Sequence, residues 1–189
     1  MGNYLNPGND MFYKMVHSEI YVDKTGLIGY CNHVINTMQR YICVSRPRRF
    51  GKSMAADMLA AYYERGEDAD LLFRSLKISK AESYRAHLNQ YDVIKVNIQE
   101  FLSMTGSMDE MLSMLKKYLV FDLMEHFDDV RFRDESNLIQ VMKDIYAKTK
   151  RAFVILIDEW DCLFREYKQN KEAQKKYLDF LSKSILLFG

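Results

Sequence analysis

Turn-forming residues, metal-binding clusters and signal segments are scarce in this sequence. Its 189 residues include only two prolines and eight glycines, which argues against a loop-rich fold and favours long helices and strands. The three cysteines form no Cys-x-x-Cys pair and the four histidines are scattered, so no zinc site is expected. An odd cysteine count and a polar start without a signal-peptide apolar region predict a cytoplasmic protein.

A strong net charge and a long apolar run are missing as well. A formal net charge of +1 gives the whole chain no general attraction to nucleic acid or to acidic lipid, so any such preference requires a local cluster. No apolar run approaches the roughly 20 residues that cross a bilayer, and we expect no membrane partner. Hydrophobic residues make up 48% and charged residues 28%, a balance typical of one globular domain with a hydrophobic core.

Segments with strand character alternate with segments of helical periodicity. The sequence predicts strands at 41–44, 92–98 and 152–157, a short β-like piece at 20–23, and helices at 26–37, 52–65, 107–127, 135–150 and 171–188. Strands that alternate with helices imply a parallel sheet covered on both faces. We therefore expect one α/β domain over residues 1–189, with residues 1–10 as a flexible lead-in. Three clear strands are few for such a sheet, so we expect the amino-terminal part of a longer module.

A candidate phosphate loop lies between the predicted strand at 41–44 and the predicted helix at 52–65, the context that a P-loop requires. In such a loop, backbone N–H groups and the helix dipole hold the phosphates. Gly51 permits close approach, the Lys52 ammonium reaches the β- and γ-phosphates, and the Ser53 hydroxyl is a ligand for Mg²⁺. The candidate nucleotide-binding residues are Arg46, Pro47, Arg48, Arg49, Phe50, Gly51, Lys52 and Ser53.

The loop departs from the standard P-loop pattern at its first positions. Arg46 stands where that pattern has glycine, and Pro47 removes one backbone N–H. Arg46, Arg48 and Arg49 either add charge to the phosphates or face solvent or a partner. Together with Arg40 they form a basic patch that suits the phosphates of a nucleic acid as well.

A carboxylate pair follows the cleanest predicted strand. The apolar residues at 154–157 lead directly into Asp158 and Glu159, as in a Walker B element at the carboxyl edge of a parallel sheet. Asp158 is expected to share Mg²⁺ with Ser53, and Glu159 to orient or deprotonate the attacking water. The alternative is a solvated strand end in which the aspartate caps the next helix. The upstream Gly-Lys-Ser segment favours the nucleotide-binding interpretation.

Three strings of this sequence resemble the predicted AAA-ATPase-like family of bacteria and archaea. They span residues 21–25 (Tyr-Val-Asp-Lys-Thr), 44–53 (Val-Ser-Arg-Pro-Arg-Arg-Phe-Gly-Lys-Ser) and 156–161 (Leu-Ile-Asp-Glu-Trp-Asp). The second string is highly specific to that family, and the resemblance covers nearly the whole chain. No chemical role is assigned to residues 21–25, beyond a local ion pair between Asp23 and Lys24. Trp160 is expected to pack in the core.

The resemblance implies a three-layer P-loop NTPase fold with a mostly parallel central sheet, binding ATP and Mg²⁺. Longer members of that family continue into a sensor region and often into a PD-(D/E)XK nuclease-like domain, neither of which is visible in this sequence. An ATPase of this class takes an arginine from a neighbouring subunit, so a homo-oligomer is plausible. Three functions remain open: an ATPase coupled to an attached or partner activity, a nucleotide-sensing switch with little hydrolysis, and a nucleic-acid-binding domain that uses the loop at 46–49.

Overall fold

A computed structural model describes residues 2–45 and 51–182 of the chain. The described part is a mixed α/β structure with a small parallel sheet of two strands, β1 (Asp92–Asn97) and β2 (Phe153–Asp158). A 3₁₀ turn at Lys77–Lys80 accompanies the helices, which are α1 (Asp10–Val16), α2 (Gly26–Val34), α3 (Lys52–Tyr63), α4 (Asp70–Phe73), α5 (Tyr84–His87), α6 (Ile98–Ser103), α7 (Met108–His126), α8 (Leu138–Thr149), α9 (Cys162–Glu166) and α10 (Lys171–Phe180).

The two strands present different side chains to two hydrophobic clusters. In the parallel register, Val93 lies opposite Val154 and Asn97 lies opposite Asp158. Val93 and Val154 pack with the cluster built by α1, α2 and α3. The intervening Ile94 and Ile155 pack with the cluster built by α6, α7, α8 and α10. Because successive strand residues alternate between faces, helices cover the sheet on both sides, and the continuous apolar run at 153–157 in β2 is typical of such a strand.

Helix α3 crosses the sheet in the direction opposite to β1. At its carboxyl end, Glu64 forms a parallel bridge with Tyr91, immediately before β1 begins. In its middle, Asp57 forms an ion pair with Lys95, two residues before β1 ends. Four helical residues from Asp57 back to Ser53 rise about 6 Å, and two strand residues beyond Lys95 extend by about the same length. The amino terminus of α3 is therefore level with the carboxyl ends of the strands.

The first residues of the chain cover the outer edge of β1. Leu5 is buried and forms an antiparallel bridge with Ile94, and the Lys95 N–H donates to the Tyr4 carbonyl at 2.8 Å. The buried Asp122 carboxylate on α7 accepts the backbone N–H groups of Asn3, Tyr4 and Leu5 at 3.1, 2.6 and 2.9 Å. The composition of this segment predicts a flexible lead-in. In the structure, its backbone is instead hydrogen-bonded to β1 and to Asp122.

The predicted strand at 41–44 is wrong. Residues 41–45 contain no strand, and Tyr41, Ile42 and Val44 are exposed. The β-like piece predicted at 20–23 is also absent, with Ile20 and Val22 exposed. A run of β-forming residues becomes a strand only where a neighbouring strand pairs with it, and tertiary context overrides local propensity here. Across 2–45 and 51–182 the sheet consequently has two strands, and the larger predicted sheet is not observed.

The remaining predicted elements are observed with shifted ends. The structure has the strands predicted at 92–98 and 152–157 and the helices predicted at 26–37, 52–65, 107–127 and 135–150. The last helix ends at Phe180, and its predicted extension beyond residue 182 lies outside the described residues. Among the helices described, none has the length and apolar character to cross a membrane.

Candidate functional site

Gly51 stands at the start of α3 in a conformation that favours glycine. Its φ of +79° is in the left-handed region, and its carbonyl accepts the first helical hydrogen bond, from the Ala55 N–H at 3.0 Å. A Cβ added to Gly51 would lie 3.1 Å from the Lys24 ammonium nitrogen and 3.7 Å from the Met54 sulfur. The backbone conformation therefore favours glycine at this position, and any larger side chain would press against the Lys24 ammonium.

The amino terminus of α3 carries no side-chain cap from the described residues. By contrast, α8, which is also 12 residues long, begins with the Asn137 side chain accepting the N–H groups of Ile139 and Gln140. The first N–H groups of a helix have no intrahelical acceptor, so an uncapped terminus is available to an anion. Lys52 is half-buried at this terminus and Ser53 is exposed. The predicted residues Arg46, Pro47, Arg48, Arg49 and Phe50 lie outside the described residues.

Asp158 ends β2 at the same edge of the sheet. It is 8% exposed, and its Oδ1 accepts the N–H of Glu159 at 2.9 Å. Asp158 is two residues beyond Leu156, which packs with the α3 cluster, so strand alternation places Asp158 on the face that α3 covers. The alternative role as a helix cap is not observed, because α9 begins four residues later, after Asp161. The carboxylate is therefore directed toward the side of the sheet that carries Lys52.

Glu159 adopts a strained conformation and is held by an ion pair. Its φ of +51° is unusual for a residue with a side chain and costs on the order of 1 kcal/mol. Its Oε2 accepts from Nη2 of Arg165 at 2.7 Å, while Nη1 of Arg165 donates to Asp161 at 2.6 Å. One arginine on α9 thus fixes both acidic side chains that follow β2. In this conformation the Glu159 carboxylate is engaged with a cation.

The expectation that Trp160 packs in the core is wrong. Its side chain is 37% exposed, and its ring meets Phe164 edge-on at a centroid separation of 5.9 Å. The turn at 159–161 begins with the left-handed Glu159, so Trp160 does not continue the alternation of faces along β2. The same turn brings Glu159 and Asp161 to Arg165.

Residues 23–25 form an anchored turn whose role could not be recognised from the sequence. The Asp23 carboxylate accepts the Thr25 N–H at 2.8 Å, the Thr25 hydroxyl at 2.6 Å and the Lys77 N–H at 2.8 Å. Partial burial raises the pKa of Asp23, but the hydrogen bonds from Thr25 and Lys77 outweigh burial and leave that pKa lowered. The pairing partner proposed for Asp23, Lys24, instead extends its ammonium to Gly51. Only the sequence string itself pointed to this segment.

Of the predicted basic patch, the structure describes only Arg40, which contacts its neighbour Tyr41. Nη2 of Arg40 donates to the Tyr41 hydroxyl at 3.0 Å, and its guanidinium carbon lies 4.9 Å from the centroid of that ring. The nearby arginines of the loop lie outside the described residues. The geometry therefore brings together Lys24, Gly51, Lys52 and Ser53, with Asp158 and Glu159 at the adjoining strand end.

Comparison with known proteins places this chain in a family. The chain is 27% identical over 146 residues to an "Uncharacterized protein in vnfD 5'region" of Azotobacter chroococcum mcd 1, an alignment that covers 75% of this chain. It spans about a quarter (25%) of the length of that relative. No solved structure matches the chain significantly. The profile of a family described as "Predicted AAA-ATPase" matches residues 8–186, which include every residue of the candidate site, and the chain belongs to that family.

Proposed function

We propose that this chain binds ATP with Mg²⁺ at the amino terminus of α3 and hydrolyses it. The observation that carries the proposal is the left-handed Gly51 before α3, a helix with no side-chain cap among the described residues and a terminus level with Asp158 at the carboxyl edge of the sheet. A helix amino terminus preceded by such a glycine suits a phosphate group, because N–H groups and the helix dipole both favour negative charge. Membership of the AAA-ATPase family supports a nucleotide as the source of that phosphate.

Each residue has a role that its chemistry suits. The N–H groups at the start of α3 and the Lys52 ammonium bind the phosphates, and Gly51 leaves room for them. The oxygens of Ser53 and Asp158 are hard ligands of the kind that would hold Mg²⁺. When bound, Mg²⁺ neutralises charge on the phosphates. Glu159 accepts a proton from the attacking water after its carboxylate leaves Arg165.

Calorimetric titration with ATP and Mg²⁺ tests the binding site. Lys52→Ala removes a charge-assisted hydrogen bond donor and is expected to weaken ATP binding by about 100-fold or more. Lys143→Ala is the matched control, because Lys143 is exposed on α8, which packs on the opposite face of the sheet. Equal ATP affinity in the wild type and Lys52→Ala, or no ATP binding at all, would contradict the proposal.

A nucleotide-sensing switch with slow turnover is the second candidate. It is favoured by the ion pair between Glu159 and Arg165, because the carboxylate of the proposed base is already engaged with a cation. Glu159→Gln distinguishes the two functions, because it preserves the size of the side chain and removes its basicity. For an ATPase, Glu159→Gln abolishes phosphate release and leaves ATP binding intact. For a switch, phosphate release is already negligible in the wild type.

A further inference from the structure

Lys24 approaches the phosphate loop from a distant part of the sequence. It belongs to the turn before α2, yet its ammonium nitrogen lies 3.1 Å from the position that a Cβ on Gly51 would occupy. The ammonium is therefore in contact with the residue immediately before Lys52. The role of residues 21–25 follows from neither composition nor spacing.

The backbone on both sides of Lys24 is fixed. Asp23 binds the Lys77 N–H, and the Thr25 hydroxyl accepts the Ile78 N–H at 3.1 Å, so both neighbours are joined to the 3₁₀ turn. Thr25 is fully buried, and the Lys24 carbonyl accepts the Leu27 N–H at 3.0 Å as α2 begins. Lys24 itself is exposed. The fold thus holds its backbone in place and leaves the side chain directed at Gly51.

The electrostatics of this arrangement favour a multiply charged anion. The amino terminus of α3 carries the positive end of the helix dipole, and Lys52 adds a full positive charge there. The Lys24 ammonium beside Gly51 brings a second full positive charge to the same terminus. A group with several negative charges bound at this terminus is attracted by both ammonium groups.

We propose that Lys24 is a second cationic ligand of the nucleotide, donating hydrogen bonds to phosphate oxygens held at residues 51–53. This inference rests on the proposed function, because the anion in question is the polyphosphate of ATP. It assigns residues 23–25 the task of positioning that lysine. Lys24 then adds a second positive charge from the same chain, besides that of Lys52, to balance the negative charge of the phosphates.

Lys24→Met, Lys24→Ala and Lys24→Arg separate charge from packing. Methionine retains the length and apolar stem of lysine, so it preserves packing over Gly51 while removing the charge. If Lys24 donates a charge-assisted hydrogen bond to the phosphates, Lys24→Met and Lys24→Ala should both weaken ATP binding by about tenfold or more. Calorimetric titration with ATP and Mg²⁺ measures this change. Lys24→Arg restores most of the affinity. Thermal unfolding of the variants without ATP is expected to match that of the wild type.

Lys52→Ala and Lys143→Ala serve as controls that distinguish a failure of this inference from a failure of the proposed function. If Lys52→Ala weakens ATP binding and Lys24→Met behaves like Lys143→Ala, the site stands and the role of Lys24 is overturned. If Lys52→Ala has no effect, the proposed function itself fails. An affinity that Lys24→Met retains and Lys24→Ala loses would show that Lys24 acts through packing, which also overturns the inference. Inorganic triphosphate, which lacks the base and sugar, should show the same dependence on Lys24.

Discussion

The acidic side chains at the two ends of the parallel strand pair have different surroundings. At the amino end, Asp92 is fully buried, and its two oxygens accept from Nε of Arg65 at 2.8 Å and Nε of Arg151 at 3.0 Å. At the carboxyl end, Asp158 accepts the neighbouring N–H of Glu159, and that residue is strained. One end is a closed ion cluster, and the other directs a carboxylate toward the face of the sheet that α3 covers.

The difference separates stability from function along the same two strands. A buried carboxylate that lies between two guanidinium groups contributes to folding, since its removal leaves their donors without an acceptor. A carboxylate at the carboxyl edge of a parallel sheet lies where such sheets bind ligands. Substitutions at the two ends should therefore affect different measurements.

The largest expected effect is on folding, at the amino end. Asp92→Ala is expected to lower the free energy of unfolding by about 3 kcal/mol, because it removes the shared acceptor of Arg65 and Arg151. Asp158→Ala is expected to change it by less than about 1 kcal/mol, since it removes one local hydrogen bond. Urea unfolding followed by circular dichroism measures both. A larger loss for Asp158→Ala than for Asp92→Ala would contradict the division between the two ends.

The carboxyl end was the more predictable of the two from sequence. A run of β-forming residues followed by Asp158 and Glu159 predicts a strand end with carboxylates, and a Gly-Lys-Ser segment before helical periodicity predicts α3. Both patterns are local. The contact of Lys24 with Gly51 depends on Asp23 binding Lys77, and the Asp92 cluster joins arginines far apart in the chain. Periodicity cannot reveal such contacts, because it reports which face of an element is buried and not what lies opposite.

The same limit explains the wrong strand at 41–44 and the wrong burial of Trp160. Both predictions follow from residue type, which reflects only the average preference for burial and pairing. Strand pairing requires a neighbour at the correct edge, and β1 already has the amino-terminal segment on its outer side. Trp160 follows a left-handed residue, whose conformation redirects the chain in a way that no local pattern shows.

A second prediction concerns Glu64, which precedes Arg65 at the amino end. Glu64 is 1% exposed, and burial raises its pKa to about 7, against the lowering effect of the Gly8 N–H at 2.8 Å. The native state therefore retains a proton between the unfolded pKa of 4.5 and about 7, where the unfolded chain has lost it. The contribution of Glu64 to stability is present below pH 4.5 and is lost as the pH rises to about 7.

Glu64→Gln removes this titration. Relative to the wild type, the variant should gain about 2 kcal/mol of unfolding free energy between pH 5 and pH 8. Urea unfolding at the two pH values measures the change, and the comparison across pH cancels any constant effect of the amide. Parallel pH profiles for the two proteins would show that Glu64 is ionised in the native state at pH 5.

The smallest expected effect is on turnover, at the carboxyl end. Arg165 is partly exposed, and an ion pair of this kind with Glu159 contributes about 0.5–1 kcal/mol. If Glu159 must leave Arg165 before it accepts a proton, Arg165→Ala lowers that barrier and raises phosphate release by about threefold. Arg165→Lys, which keeps the charge, should stay near the wild type, and Glu159→Gln should abolish the gain. A fall in turnover for Arg165→Ala would instead mean that Arg165 holds Glu159 in its active position, and that the carboxyl end is as closed a cluster as the one around Asp92.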